Sequence, residues 1–255
     1  MENFFQILII SIVQGVTEFL PVSSSAHLNL LSSLFNFKEN ELIINVSAHI
    51  GSLLAVIFFF KNEISNFGKN KKLFTKVVIA SVPLFLFGYL FVNYNLVSEL
   101  RTLKVIGWTT IVFGILLYFA DRLKTNKNID NNYTLKNAII IGFLQVLALV
   151  PGVSRSGIII TGARLLKFNR TDAAKISFLM SIPALTGAGF FGIYELIKKG
   201  DPFLSLSSIF TILFSFFFSY IAIKYFLIYL RKFNLNLIIG YRIILGVIVL
   251  FIAYL

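Results

Sequence analysis

Cysteine is absent from the 255 residues, which removes disulfides and thiolate metal sites at once. Charge is scarce as well: 13% of residues are Asp, Glu, Lys or Arg, against about 25% in a soluble domain. The chain therefore lacks the polar surface that a water-soluble fold needs. Its charge is also one-sided, with 11 acidic against 23 basic residues and a net charge of +12. In a soluble protein that excess would suggest nucleic acid. In a membrane protein it marks cytoplasmic loops, so no nucleic-acid partner is expected. No Lys or Arg precedes the first apolar run, MENFFQILII, which is not the shape of a cleaved signal peptide.

What is present is hydrocarbon: 57% of residues are hydrophobic and 29 are Phe. Six stretches, near 42–60, 77–92, 103–120, 173–197, 205–230 and 237–255, are long enough to cross a bilayer, which takes about 20 mostly apolar residues. Two further apolar pieces are not. Residues 3–20 are interrupted by Gln14, Gly15 and Glu18 and halted by Pro21, and residues 137–150 stop at Pro151–Gly152. Each is followed by a Ser-rich turn and a second short apolar piece, 25–35 or 157–168. Such a helix–turn–helix, each half too short to span, predicts a re-entrant hairpin, which is tolerated where it is buried or lines a wet cavity.

The two hairpins resemble each other. Aligning QGVTEFLPVS (14–23) with QVLALVPGVS (145–154), 131 residues apart, pairs Gln14 with Gln145 and Val22–Ser23 with Val153–Ser154. Farther on, IGW (106–108) resembles IGY (239–241). Each half reads as a hairpin plus three spans, and an odd number of spans inserts the second half upside down. The expected fold is thus all-α and polytopic. It is one membrane domain, 1–255, of six transmembrane helices and two re-entrant helical hairpins, with inverted repeats of about 1–125 and 132–255. Charge orients it. Fifteen basic residues, among them Lys71, Arg122, Lys124, Arg164, Arg170 and Arg231, fall on one side and five (Lys38, Arg101, Lys104, Lys198 and Lys199) on the other. The first side is expected to be cytoplasmic.

In this arrangement the two hairpin tips meet, and both are polar. The first carries Gln14, Glu18, Ser23, Ser24, Ser25 and His27; the second, PGVSRSG (151–157), carries Ser154, Arg155, Ser156 and Gly157. An unpaired charge at mid-membrane costs at least about 2.5–3.5 kcal/mol, so Glu18 and Arg155 read as functional. A structural alternative is a buried ion pair that merely joins the hairpins. Arg155 and two helix N-termini favour an anion such as phosphate, and Glu18 suits Mg²⁺, which takes one or two carboxylates plus phosphate oxygens. Ser24 and His27 share a helix face, as a nucleophile and base would. The bland alternatives are N-caps for Ser23 and Ser154 and hydrogen-bonding or packing for His27. His49 is expected to bond a neighbouring helix.

EFLPVSSSAH together with ALVPGVSRSG resembles the undecaprenyl-diphosphate phosphatase family, bacterial membrane proteins linked to bacitracin resistance. HIGSLLAV (49–56) and SFLMSIPALTGAG (177–189) extend the likeness over nearly the whole chain. The resemblance implies hydrolysis of undecaprenyl diphosphate to the monophosphate carrier used in peptidoglycan synthesis. It also implies a divalent metal, Mg²⁺ or Ca²⁺, and a site open to the outer face of the bacterial cytoplasmic membrane, among membrane lipids; a homodimer is left open.

By position, the family's acidic motif falls on Gln14 and Glu18, its serine and histidine on Ser24 and His27, and its arginine on Arg155. Two departures stand out. Gln14 replaces an alternative glutamate, leaving one carboxylate for a metal, and Ile159 stands where the family has threonine, with Thr161 two residues later. The attacking group is Ser24, His27 or an activated water, Ser24 with His27 as base being preferred. The rival reading is an inverted-repeat transporter or lipid-phosphate flippase, which would have no need of an aligned hydroxyl and imidazole. A non-catalytic assembly factor would leave Glu18 and Arg155 unexplained. PGVSRSG is not a nucleotide P-loop, since it lacks the Gly-Lys-Ser/Thr ending.

Overall fold

The computed structural model describes residues 4–35, 41–199 and 205–255, so Lys38, one of the cations assigned to the outer side, lies outside the described residues. The first half contributes α1 (Phe4–Thr17), α2 (Ser24–Phe35), α3 (Glu41–Phe59), α4 (Phe67–Asn93) and α5 (Leu103–Asp121). The second contributes α6 (Leu135–Val146), α7 (Arg155–Leu165), α8 (Arg170–Lys199), α9 (Leu206–Lys232) and α10 (Asn236–Tyr254). Among the described residues there is no strand beyond one bridge between Lys127 and Phe168.

Six helices, α3, α4, α5, α8, α9 and α10, are long and apolar enough to cross a membrane, and they fall on the six windows read from hydropathy. The chain is therefore a multi-pass membrane protein. One boundary differs. α4 begins at Phe67 rather than near 77, so Lys71, Lys72 and Lys76 lie in its first turns and not in a loop. Lysine is a good helix former, and nothing between 67 and 77 breaks the helix.

The short helices α1 and α6 stop ahead of Pro21 and Pro151. Proline has no N–H to continue the ladder and restricts the residue before it. The chain then turns through a serine with left-handed backbone, Ser23 at φ 71° in one half and Ser154 at φ 68° in the other. Non-glycine residues pay about 1–3 kcal/mol for such geometry. Each serine also caps the helix that follows: Ala26 N–H donates to Ser23 Oγ at 3.4 Å, and Gly157 N–H donates to Ser154 Oγ at 3.1 Å. The capping role expected of these two is thus filled.

The same pairings recur in both halves. α1 rests on α9 and α6 on α4, so the short first helix of each half lies against the middle span of the other. α3 packs on α8, and α5 on α10. Without a hydrophobic drive between helices in lipid, small side chains and hydrogen bonds hold such contacts. On α9, Ser215 donates to the Ala48 carbonyl at 2.7 Å, while Ser219 donates to Ser52 Oγ at 2.9 Å and to the Gly15 carbonyl at 3.2 Å. α5 and α10 meet at Gly107 and Gly246, where a Cβ on either would lie within 3.2 Å of the other's carbonyl oxygen.

Inside, Phe19, Val22, Val153, Ile158 and Phe178 form the apolar core around the two turns, with Phe19 edge-on to Phe178 at 5.5 Å. Outside, large apolar side chains such as Val82, Leu86, Phe119, Phe217 and Phe251 face outward. Lipid is what covers them.

Candidate active site

The two turns lie against each other and bring Glu18 and Arg155 together. Arg155 Nη2 is paired with Glu18 Oε1, and both side chains are largely buried. The other carboxylate oxygen, Oε2, accepts from Gln14 Nε2 at 2.8 Å and from Ser24 Oγ at 3.3 Å. A buried carboxylate is tolerable only when compensated in this way. Gln14 is held one-sidedly: its Oε1 is buried and has no hydrogen-bond partner. A carbonyl oxygen without a donor, beside a carboxylate, suits a hard cation. Among the described residues no group of three or more His, Cys, Asp or Glu forms a metal site, so other ligands would have to complete the shell.

His27 is placed differently from the dyad expectation. Its Nδ1 lies 2.8 Å from the Ser23 carbonyl, and its Nε2 lies 2.6 Å from the Tyr241 hydroxyl, with the two rings stacked. A carbonyl only accepts, so Nδ1 carries the proton and Nε2 accepts from Tyr241. Ser24 and His27 leave the same helix face, yet in this state the serine serves Glu18 and the histidine serves Tyr241. His49 differs from expectation too. Its Nδ1 is 2.6 Å from the carbonyl of Asn45, one turn back on its own helix, rather than on a neighbouring helix. The nearest acceptor is the local one.

The remaining tip residues join the halves. Gly152 N–H donates to Ser25 Oγ at 3.3 Å, and Ser156 Oγ donates to the Leu20 carbonyl at 2.8 Å. Ser25 also pairs with Ser23, and Ser156 with Ser154, each at 3.2 Å. The Gly157 amide is occupied by its cap, and Thr161 bonds back to the Gly157 carbonyl at 2.7 Å, so Thr161 does not stand in for the missing threonine.

Sequence reasoning missed Arg242, which is fully buried. Its Nε donates to the Thr110 carbonyl at 2.9 Å and its Nη1 to Pro21 at 3.3 Å. Its Nη2 donates to Gly152 at 3.0 Å and to Val153 at 2.5 Å. Thr109 adds a bond to the Pro151 carbonyl at 2.7 Å. Gly157 leaves room for the guanidinium: a Cβ there would lie 2.6 Å from Nη1. The signal lay in the sequence, since Arg242 directly follows the repeated IGY and fits neither side of the charge count. Tyr241 was missed with it.

A cavity of about 790 Å³ opens between α4 and α8. It starts at Arg155, runs past Leu149, Phe85, Gly88 and Ala188, and takes in Asn93 and Glu195 toward the ends of the two helices. Its wall is mostly apolar, and the site's cation is part of its lining.

The family model for the bacitracin resistance protein BacA matches residues 7–248. The chain belongs to this family. Relatives named undecaprenyl-diphosphatase are similar from end to end. The protein of Pelagibacter ubique is 48% identical, with 99% of each chain covered. That of Saccharophagus degradans is 40% identical over 93% of each, and that of Jannaschia sp. 35% over 99% of each. In this BacA-family chain the junction is thus built by Ser25 and Ser156 of the tips with Thr109 of α5 and Arg242 of α10, while Gln14, Ser24 and Arg155 gather at Glu18.

Arg242→Met is expected to loosen both turns, because four carbonyls lose a charged donor worth about 1.5–3 kcal/mol each before relaxation. A large drop in thermal midpoint in detergent checks this; a midpoint unchanged from wild type would make those contacts incidental.

Proposed function

We propose that the chain is an undecaprenyl diphosphatase, hydrolysing undecaprenyl diphosphate to undecaprenyl phosphate and inorganic phosphate at the junction of the two turns. One observation carries the reading. The buried Glu18–Arg155 pair has a serine hydroxyl on its carboxylate and an apolar cavity leading from its guanidinium. Membrane enzymes seldom keep such charges without use, and a lipid diphosphate presents one polar and one apolar end to match. The names of the end-to-end relatives support the same substrate.

In the free protein Glu18 and Arg155 satisfy each other. Diphosphate entering the junction exchanges that pair: Arg155 turns its planar fork to the phosphate oxygens, and Glu18 becomes available for a cation. Glu18 and the unpartnered Gln14 Oε1 are the residues that would hold Mg²⁺ or Ca²⁺, with phosphate oxygens and water as further ligands. Bound there, the ion would neutralise phosphate charge. Ser24 Oγ attacks the terminal phosphorus while its proton passes to a base, and the bridging P–O bond breaks to release undecaprenyl phosphate. Water then cleaves the phosphoserine. Two bases are available. Glu18 already accepts the Ser24 hydrogen bond, and His27 has an Nε2 lone pair that Tyr241 must yield. The isoprenoid tail lies along the cavity between α4 and α8.

Ser24→Ala is expected to abolish turnover while lipid diphosphate still binds. His27→Ala should lower kcat by about 10²–10⁴-fold if its imidazole is the base. Turnover near wild type in His27→Ala assigns proton removal to Glu18. Turnover near wild type in folded Ser24→Ala removes the serine and leaves His27 or water as the attacking group.

Glu18→Gln should abolish metal-stimulated phosphate release, measured across a Mg²⁺ titration after chelation, since an amide is a poor substitute for a Mg²⁺-binding carboxylate. Retained activity that ignores chelator would defeat the metal assignment.

We further read the two halves as inverted repeats in the bacterial cytoplasmic membrane, with the site facing outward. The recurring pairings of α1 on α9 and α6 on α4 and the matched serine turns support this. A cysteine replacing Lys71 should react only with reagents that reach the cytoplasm, and one replacing Lys198 with impermeant reagents outside. Labelling of both from one side contradicts the inverted repeat.

A further inference from the structure

The second large polar feature lies away from the junction, where the end of α5, the end of α7, the start of α8, the end of α9 and the start of α10 come together. A cavity of about 830 Å³ opens there, lined by Arg122, Lys124, Arg164, Arg170 and Arg231, with Asp121 and Asp172 as its acidic members. Nothing in the phosphatase reading uses it.

The two acids are already committed. Asp121 accepts from Arg170 Nε at 2.8 Å and Nη2 at 3.0 Å, and from the Leu235 amide at 3.2 Å. Asp172 accepts from the Ile129 amide at 3.1 Å and from Asn169 Nδ2 at 2.8 Å. Arg164 is buried and structural. Its guanidinium donates to the carbonyls of Phe168 at 2.8 Å, Asp121 at 2.6 Å and Leu123 at 3.1 Å, and so pins the turn that carries Arg122 and Lys124. Its Nε lies 3.2 Å from Asp121 Oδ1 but without hydrogen-bond alignment, and it has no hydrogen-bond partner. Arg122, Lys124 and Arg231 are exposed, and among the described residues none has a carboxylate partner. Arg122 is braced over the Tyr118 ring at 4.2 Å.

We infer that this basic pocket binds the phosphate group of an anionic membrane lipid. Two uncommitted cations on a turn fixed by a buried arginine, with Arg231 in the last turn of α9 as a third, suit a phosphate ester. The pocket stands at the ends of spanning helices, the depth at which headgroups lie, and basic pockets of that kind between helices take anionic headgroups. Leu123 lines the pocket and is exposed, and it offers an acyl chain a surface that a free phosphate ion would not need. By the positive-inside rule this is the cytoplasmic leaflet, the opposite side from the proposed catalytic opening.

The test uses the full chain, delipidated in detergent, and measures binding and thermal midpoint with phosphatidylglycerol, phosphatidylcholine or inorganic phosphate. Phosphatidylglycerol should bind and raise the midpoint, and the other two should not. Arg122→Glu with Arg231→Glu should weaken phosphatidylglycerol binding about tenfold or more, since each cation near an anionic surface contributes a sizeable share of a tenfold factor. Phosphatase turnover with a short-chain soluble substrate should stay near wild type. If the reversed variant does not fold, Arg122→Gln with Arg231→Gln serves, with the same direction expected. Equal binding of inorganic phosphate would make the site one for free phosphate and overturn the lipid assignment. Phosphatidylglycerol binding that survives either folded double variant, or that phosphatidylcholine matches, would overturn the site itself.

Discussion

Carbonyl groups released where a helix stops inside a packed bundle have no water to turn to, and each one left bare costs several kcal/mol. The fold depends on how this chain meets that demand. Both α1 and α6 stop at a proline within the bundle, and Arg242 crosses to the freed carbonyls of Pro21, Gly152 and Val153 while Thr109 takes that of Pro151. The donors come from the last spanning helix of each half. That is possible because α5 and α10 touch backbone to backbone at Gly107 and Gly246 and so stand close to the turns. The chemistry at the turns presupposes this frame.

The same rule governs charge. Glu18 and Arg155 are each costly to bury alone and tolerable as a pair. The turns are also held by Ser25, Ser156, Thr109 and Arg242, which bond the carbonyls and amide of the turns, independently of the Glu18 carboxylate. Structural bonds and reactive groups are therefore interleaved in sequence but separate in duty: Ser23 and Ser25 build, and Ser24 between them points to the carboxylate. The left-handed serines are part of that arrangement. A backbone strained at Ser23 and Ser154 brings successive side chains out of one turn in different directions, and the surrounding core keeps it so.

The two ends of the bundle use arginine differently. At the junction the guanidinium of Arg155 is paired with an acid and has an apolar cavity beside it. At the basic end the acids are fixed by amides and by Arg170, and the cations left over face solvent and lipid. Arg164 and Arg242 do neither: both are buried, both donate mainly to carbonyls, and both hold turns that carry other functional side chains.

Six spans, two broken apolar pieces, their likeness and the family itself were legible in the chain, since hydropathy, proline breaks and short motifs are local properties. The gathering of Gln14, Glu18, Ser24 and Arg155 also followed from sequence, because a charge at that depth needs its opposite and each tip carried one. The Ser23 and Ser154 caps and the Glu18–Arg155 pair were legible too, but the other hydrogen-bond partners were not. Helical spacing put Ser24 and His27 on one face, but shared faces allow proximity without choosing the nearest acceptor. Glu18 claimed the serine, Tyr241 from the far end of the chain claimed the histidine, and His49 took the carbonyl one turn behind it. Arg242 stood in plain view as a cation within a span, yet its four acceptors exist only once two broken helices and α5 have been folded around it. Sequence determined where the chain crosses, breaks and carries charge; tertiary structure decided which polar groups build and which stay free, because that depends on distances between segments remote in the chain.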